Sequence, residues 1–165
     1  MNALWSYFWP ALGSGIAAGV IAGAFGFRRD ARRSLVLALG LAATILLAAL
    51  WHGPVGAADR FSASVERTAR AALDHYEMSK VTAVLHRGPL TRQLVLSGPA
   101  DDFQRPELAR LLSQVPGVSR ASWSRSAGIP LLAEGLGVSL LGFLVGLLLA
   151  YLVELRRRYN AQWNW

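Results

Sequence analysis

Cysteine is absent from this sequence, lysine occurs once and histidine three times. Without cysteine, the chain has no disulfide, no thiolate metal ligand and no thiol nucleophile. A histidine metal site needs several ligands to converge, but His52 is predicted beside the membrane, His75 on a helix and His86 on a strand. No phosphate-binding loop, nucleophile elbow, dinucleotide fingerprint or zinc-protease motif is present either. These absences predict a protein without enzyme activity, bound metal or cofactor.

The charged residues are strongly biased towards arginine. Lysine and arginine total 17 against 10 aspartates and glutamates, and every cation except Lys80 is arginine. The arginines are not interleaved with aromatic residues in the pattern that stacks bases, so we expect no nucleic-acid partner. Hydrophobic residues make up 53% of the chain and are concentrated in blocks, which is typical of a membrane protein.

Three apolar segments are long enough to cross a bilayer, whose hydrocarbon core is about 30 Å thick. We predict transmembrane helices at about residues 4–27, 34–51 and 129–153. The first begins in an aromatic-rich stretch without a positive side chain, so we do not expect it to be cleaved as a signal peptide. The first two helices then occupy residues 1–56, and the third helix with a basic, aromatic tail occupies residues 127–165.

Arginine clusters follow the first and third apolar segments, in the loop at residues 28–33 and in the tail. By the positive-inside rule both clusters are cytoplasmic. This arrangement places the N-terminus and residues 57–126 in the periplasm, in a multi-pass protein of the bacterial inner membrane. We expect contacts with lipid headgroups from Arg28, Arg29, Arg32, Arg33, Arg156, Arg157, Arg158, Trp163 and Trp165.

Glycines at four-residue spacing mark the first and third predicted helices. Gly15, Gly19 and Gly23 share one face of the first, and Gly142 and Gly146 share one face of the third. Small residues at this spacing allow two helix backbones to approach closely in lipid. The partner of the first face is either the second or third helix of the same chain or another copy.

Residues 57–126 carry the pattern of a small globular domain. Asp59 is a suitable helix N-cap, and apolar residues then recur at three- and four-residue steps, as in an amphipathic helix. These residues are Phe61, Val65, Ala69, Ala72, Leu73 and Tyr76. Two strands are predicted at Lys80–Arg87 and Thr91–Ser97, separated by the turn signal Gly88-Pro89.

A second helix is predicted to begin between Asp101 and Glu107 and to end before Pro116-Gly117. Its apolar stripe consists of Leu108, Leu111, Leu112 and Val115, and we expect both Leu111 and Leu112 to be buried under the sheet. A third strand is predicted from Val118 to Ser124. The predicted order is therefore α-β-β-α-β.

This order, together with the stretches Leu94-Val95-Leu96-Ser97-Gly98 and Val115-Pro116-Gly117-Val118, resembles a BON domain. The resemblance covers about residues 59–125, which is less than half of the chain. It implies a small α+β module that binds phospholipid surfaces or partner proteins and that has no catalytic residues. A ferredoxin-like or other small α+β domain is the alternative.

Glu134 is the one ionisable residue that falls inside a predicted span. An acid within a membrane is a functional candidate by default. Its position in the first turns of the third helix favours a simpler interpretation, in which the helix N-terminus and interfacial water stabilise the carboxylate.

The predicted fold class is an α-helical membrane protein with three transmembrane helices and a small BON-like α+β domain outside the membrane. The function we expect is non-enzymatic: the chain anchors a lipid- or protein-binding module at the periplasmic surface of the inner membrane. The expected partners are membrane lipids and a membrane protein or a second copy of the chain. An accessory or structural subunit of a larger membrane complex is the alternative, and a small transporter or channel is disfavoured because the spans have few polar residues.

Overall fold

The computed structural model describes residues 2–28, 32–125 and 128–162. Over these residues the chain forms five helices and three strands. In chain order they are α1 (Ala3–Gly26), α2 (Arg33–His52), α3 (Ala57–His75), β1 (Thr82–Arg87), β2 (Leu90–Ser97), α4 (Gln104–Leu112), β3 (Arg120–Ser122) and α5 (Leu131–Gln162). The order α-β-β-α-β predicted for the central segment is confirmed.

The chain divides into two compact units. The globular unit comprises Met1–Tyr7 and Gly56–Glu134, and the helical unit comprises Phe8–Val55 and Gly135–Trp165. The globular unit is therefore larger than the domain predicted at residues 57–126. Two contacts account for the additions: the Tyr7 ring packs 5.7 Å from the Phe61 ring, and Pro130 forms a β-bridge with Thr91.

Three of the helices, α1, α2 and α5, are long and apolar enough to cross a membrane. The bounds of α1 and α2 agree with the predicted spans to within one residue. Helix α5 differs, because it begins at Leu131 and continues to Gln162, well beyond the predicted end at residue 153. Its last turns are supported by ion pairs from Glu154 to Arg157 and Arg158, at the spacings that stabilise a helix.

The globular unit contains a mixed sheet in the order β1-β2-β3. Strands β1 and β2 are antiparallel, with Leu85 opposite Leu94, and β2 and β3 are parallel, with Leu94 opposite Ala121. Helix α3 packs against β1 and α4 packs against β3. The buried side chains between helices and sheet are Phe61, Val65, Ala69, Leu73, Val81, Leu85, Leu94, Leu96, Leu108, Leu112, Val115, Val118 and Ala121.

Two predictions about the ends of α3 were wrong. The helix begins at Ala57 rather than after Asp59, because Ala57 and Ala58 are buried and helix-favouring, and Gly56 caps it with a left-handed backbone. Asp59 lies in the first turn instead, where its charge is favourable to the helix dipole. Tyr76 lies beyond the last helical residue and is exposed, so it does not extend the buried stripe.

The second half of the domain also differs from the prediction in detail. Strand β3 contains three residues rather than the predicted Val118–Ser124, since Val118 donates its N–H to Val115 within the preceding turn. In α4, Leu112 is buried, but Leu111 is only partly buried. The prediction that both side chains are buried was therefore wrong. Adjacent residues of a helix point about 100° apart, so the two side chains cannot face the sheet equally.

The backbone conformation and the close neighbours of Gly98 and Gly117 explain why glycine occurs in the two stretches that resemble the BON pattern. Gly98 has φ of 127°, and a Cβ there would lie 3.0 Å from the Cα of Val81. Gly117 has φ of 104°, and a Cβ there would lie 2.8 Å from Cγ2 of Val65. Both positions require a backbone that L side chains rarely adopt and space that a side chain would fill.

Candidate functional site

The glycine face of α1 lies against α5. A Cβ added at Gly15 would overlap the backbone of Ser139, and one added at Gly19 would overlap the carbonyl oxygen of Phe143. From the other side, Cβ atoms at Gly142 and Gly146 would overlap the backbone of α1. The structure therefore brings four of the five predicted packing glycines into one backbone-to-backbone contact within the chain. The fifth, Gly23, lies next to the Cβ of Ala150.

A buried hydrogen bond accompanies this contact. The Ser139 hydroxyl is fully buried and donates to the carbonyl oxygen of Ala11 at 3.1 Å, joining α5 to α1. Helix α2 meets the same pair of helices at Gly40, where a Cβ would overlap that of Ala22. The role of Ser139 was not predicted, although its register with Gly135 and Gly142 on the small-residue face was visible in the sequence.

The predicted headgroup anchors lie in the helical unit and are exposed where the structure describes them. Those described are Arg28, Arg32, Arg33, Arg156, Arg157 and Arg158. The guanidinium of Arg158 donates to the carbonyl oxygen of Phe27, and that of Arg33 lies 5.1 Å from the centre of the Phe27 ring. Arg29, Trp163 and Trp165 lie outside the described residues. The proposed contacts with lipid headgroups stay a prediction.

The outer face of the sheet, on the side opposite α3 and α4, has a partly apolar surface. We call it the open sheet face and define it by Val84, His86, Val95 and Ser97. Val84 is 46% exposed, and a cavity of about 520 Å³ extends over these residues to Arg87 and Arg125. The face thus combines apolar side chains with nearby cations.

At its other end, the outer face of the sheet is covered. Gln93 and Thr91 are buried there. The Gln93 amide donates to the Ser122 hydroxyl at 2.8 Å and to the carbonyl oxygen of Ser124 at 3.3 Å. The segment that leaves β3 therefore covers the start of β2, and the open sheet face is limited to β1 and the end of β2 at residues 95–97.

Glu66 of α3 protects the free edge of β1. Its Oε1 atom accepts the backbone N–H of Leu85 at 3.1 Å, and the Arg87 guanidinium donates to both carboxylate oxygens. An unpaired strand edge is a template for association with another strand. Because Glu66 and Arg87 occupy this edge, the open sheet face is a better candidate than the edge for binding a partner.

An ion pair joins the sheet to the start of α5. Arg92 Nη1 donates to Glu134 Oε2 at 2.9 Å, and Arg92 Nε donates to the carbonyl oxygen of Gly117 at 3.0 Å. The two side chains are 22% and 21% exposed. This pairing was not predicted, but a signal existed: Arg92 lies on the same inward-facing side of β2 as Leu94 and Leu96, and a charge at such a position requires a partner.

Replacing Glu134 by glutamine is expected to weaken β2 and β3. Breaking a buried pair costs about 3–5 kcal/mol and breaking an exposed pair about 0.2–1 kcal/mol, so we expect about 1–2 kcal/mol here. Amide hydrogen exchange of residues 90–97 in the intact chain measures this loss of protection. Glu154→Gln, in the helical unit, is the matched control. Equal protection of β2 in the wild type and Glu134→Gln would contradict the pairing.

Two exposed ion pairs shift carboxyl pKa values in the globular unit. The Arg70 guanidinium donates to Asp74 and lowers the pKa of that carboxyl, and Arg110 lowers the pKa of Glu107 in the same way. A carboxyl with a lowered pKa adds stability at neutral pH that is lost as the pH falls through its folded-state pKa. Arg70 also donates to the carbonyl oxygen of Val81 at 2.9 Å, so it holds the loop between α3 and β1.

Chemically, these arrangements favour packing and binding. Within residues 2–28, 32–125 and 128–162, no group of three or more histidine, aspartate or glutamate side chains is placed to hold a metal ion. Among the same residues, every buried side-chain nitrogen or oxygen has a hydrogen-bond partner. In the globular unit, the pairs Arg70–Asp74, Arg87–Glu66, Arg92–Glu134 and Arg110–Glu107 stabilise the fold.

The fold and these surfaces define a class of protein: three helices of membrane-spanning length combined with a small α-β-β-α-β unit. A scan against protein-family models found no match, and neither a search of curated proteins nor one of solved structures found a significant match.

Proposed function

We propose that this chain is a non-enzymatic membrane protein that presents a BON-like module to a partner protein at the periplasmic surface of the bacterial inner membrane. The open sheet face is the observation that carries the proposal. It offers the exposed Val84 and the partly buried Val95 at its centre, with Arg87 and Arg125 beside them. Apolar contacts with a charged rim are typical of a protein interface.

The connections of the globular unit support action close to the membrane. Helix α2 ends at His52 and α3 begins at Ala57, so only a short segment joins them. After β3 ends at Ser122, α5 begins at Leu131. Since an extended residue spans at most about 3.6 Å, these segments do not allow the unit to reach a distant membrane. The proposed partner therefore lies in or beside the same bilayer.

Photo-crosslinking tests this proposal. A photoreactive residue at Val84 in the intact chain, in its native membrane, is expected to give a discrete protein adduct. Ala63, exposed on α3, is the matched control position and is expected to give none. Val95→Glu should abolish the Val84 adduct, because Val95 lies opposite Val84 in the sheet. Adducts with lipid alone, or equal adducts from both positions, would contradict a protein partner.

The proposed topology has its own test, which the absence of cysteine makes simple. Ala63→Cys, exposed on the globular unit, is expected to react with a membrane-impermeant maleimide added outside spheroplasts. Ser34→Cys, exposed at the start of α2, is expected to react only after permeabilisation, because it adjoins the arginine loop. The reverse labelling pattern would overturn the proposed orientation.

A second function, as a subunit of a larger membrane complex, is favoured by a groove in the helical unit. The groove lies between α1 and α2 and has a volume of about 670 Å³. Its walls include the small residues Ala17, Ala18, Gly40 and Ala43, which permit close approach of another helix. Because the glycine face of α1 already contacts α5, this groove is the better candidate surface. Native mass measurement of the detergent-solubilised complex would reveal a discrete larger assembly.

A further inference from the structure

A pair of adjoining cavities lies where the end of α1 meets the last third of α5, within the helical unit. The larger has a volume of about 390 Å³ and is lined by Phe27, Arg28, Glu154, Arg157, Arg158 and Ala161. The smaller, of about 130 Å³, shares Phe27, Arg28, Glu154 and Arg157 with it. Its other walls are apolar and include Val20, Ala24 and Val153. A charged cavity therefore continues into an apolar slot.

The charged cavity has an excess of cations. Three arginines face one carboxylate, Glu154, and that carboxylate is already paired. Glu154 Oε1 accepts from Arg158 Nε at 3.2 Å, and Glu154 Oε2 lies 3.8 Å from Arg157 Nη1. Because its charge is compensated in this way, Glu154 does not prevent an anion from binding between the arginines.

The arginines differ in how much hydrogen-bonding capacity they have left. Arg158 is engaged twice, with Glu154 and with the carbonyl oxygen of Phe27 at 3.3 Å. Arg157 makes only a long contact with Glu154. Among the described residues, Arg28 makes no hydrogen bond or ion pair, although it lines both cavities. Arg28 and Arg157 therefore have guanidinium N–H groups available to a ligand in the cavities, and guanidinium groups bind phosphate oxygens in a bidentate manner.

We propose that these cavities bind one anionic phospholipid, with its phosphate between Arg28 and Arg157 and an acyl chain entering the slot beside Ala24. A phosphate group by itself would explain the arginines of the charged cavity. The adjoining apolar slot, which shares four wall residues with that cavity, fits a ligand that also has an apolar chain. Basic pockets between membrane helices on the cytoplasmic side are typical sites for anionic lipid headgroups. The inference rests on the membrane insertion proposed above.

Native mass spectrometry of the full chain in detergent tests the site, with phosphatidylglycerol and phosphatidylcholine as probes. We expect the wild type to retain phosphatidylglycerol at least about ten-fold more than phosphatidylcholine. Arg28→Gln combined with Arg157→Gln should remove that preference. Arg156→Gln, which deletes an exposed charge of the same tail outside both cavities, should keep it. Equal losses from the two charge-removal variants would overturn the proposal and indicate general attraction to the arginine tail.

A second variant separates a lipid from free phosphate. Ala24→Leu fills the slot and leaves every arginine in place, so we expect it to reduce phosphatidylglycerol binding without changing any binding of inorganic phosphate. If inorganic phosphate at millimolar concentration displaces the lipid fully and Ala24→Leu has no effect, the site is a phosphate site and the lipid proposal is wrong. The Val84 crosslink tests the globular unit independently. If the wild type binds lipid but gives no protein adduct at Val84, the lipid site is supported and the proposed function is contradicted.

Discussion

Replacing Gly19 by alanine is expected to destabilise the helical unit, although alanine is the better helix former. The added Cβ would overlap the carbonyl oxygen of Phe143 and would lie 3.0 Å from the Cα of Gly146. Both neighbours are backbone atoms, so the strain is relieved only if α1 and α5 move apart. Overpacking of this kind costs about 1–3 kcal/mol, which corresponds to a fall in Tm of about 2–12 °C for a chain of this size.

The matched control for this prediction is Gly13→Ala on the same helix. A Cβ at Gly13 meets nothing within 4 Å, so only the helix propensity changes, by about 1 kcal/mol in favour of alanine. Thermal unfolding in detergent, followed by tryptophan fluorescence, should therefore show shifts of opposite sign for the two variants. Equal shifts would show that the backbones do not approach at Gly19.

Truncation of Leu112 is expected to have the largest effect in the globular unit. The side chain is 2% exposed and belongs to the core beneath the sheet. Replacing a buried leucine by alanine costs about 2–5 kcal/mol through lost apolar burial and the cavity left behind. This amount is a large share of the stability of a small domain. Hydrogen exchange of β2 in the intact chain measures it, because exchange reports the opening of one unit without unfolding the other.

Leu111 provides the comparison for Leu112. The two residues are neighbours in α4 with the same chemistry and the same helix propensity, but Leu111 is only partly buried. We therefore expect Leu111→Ala to cost clearly less than Leu112→Ala, because fewer contacts are lost. Similar losses of protection in β2 would show that α4 is rotated about its axis relative to the structure described above.

The glycine face of α1 is occupied and the groove between α1 and α2 is open, which limits the surfaces that a partner helix could use. Sequence spacing alone left three partners open for Gly15, Gly19 and Gly23, including a second copy of the chain. The structure uses this face within the chain, against α5. A partner helix would therefore use another surface, and the groove lined by Ala17, Ala18 and Ala43 offers suitable small residues.

The sequence by itself determined the features that depend on neighbouring residues. The lengths of α1 and α2 follow from uninterrupted apolar runs, and the order α-β-β-α-β follows from periods of 3.6 and 2 residues separated by glycine and proline. The spacing of the packing glycines is equally local, since every fourth residue of a helix lies on the same face. Such patterns involve residues that are close in the sequence, so they can be recognised without the tertiary structure.

Only the tertiary structure decided which distant residues meet. It selected α5 as the partner of the glycine face, paired Arg92 with Glu134, and brought residues 2–7 and 128–134 into the globular unit. It also distinguished Leu112 from Leu111. The physical reason is the same in each case: burial and ion pairing depend on packing between residues far apart in the chain, which periodicity within one element does not specify.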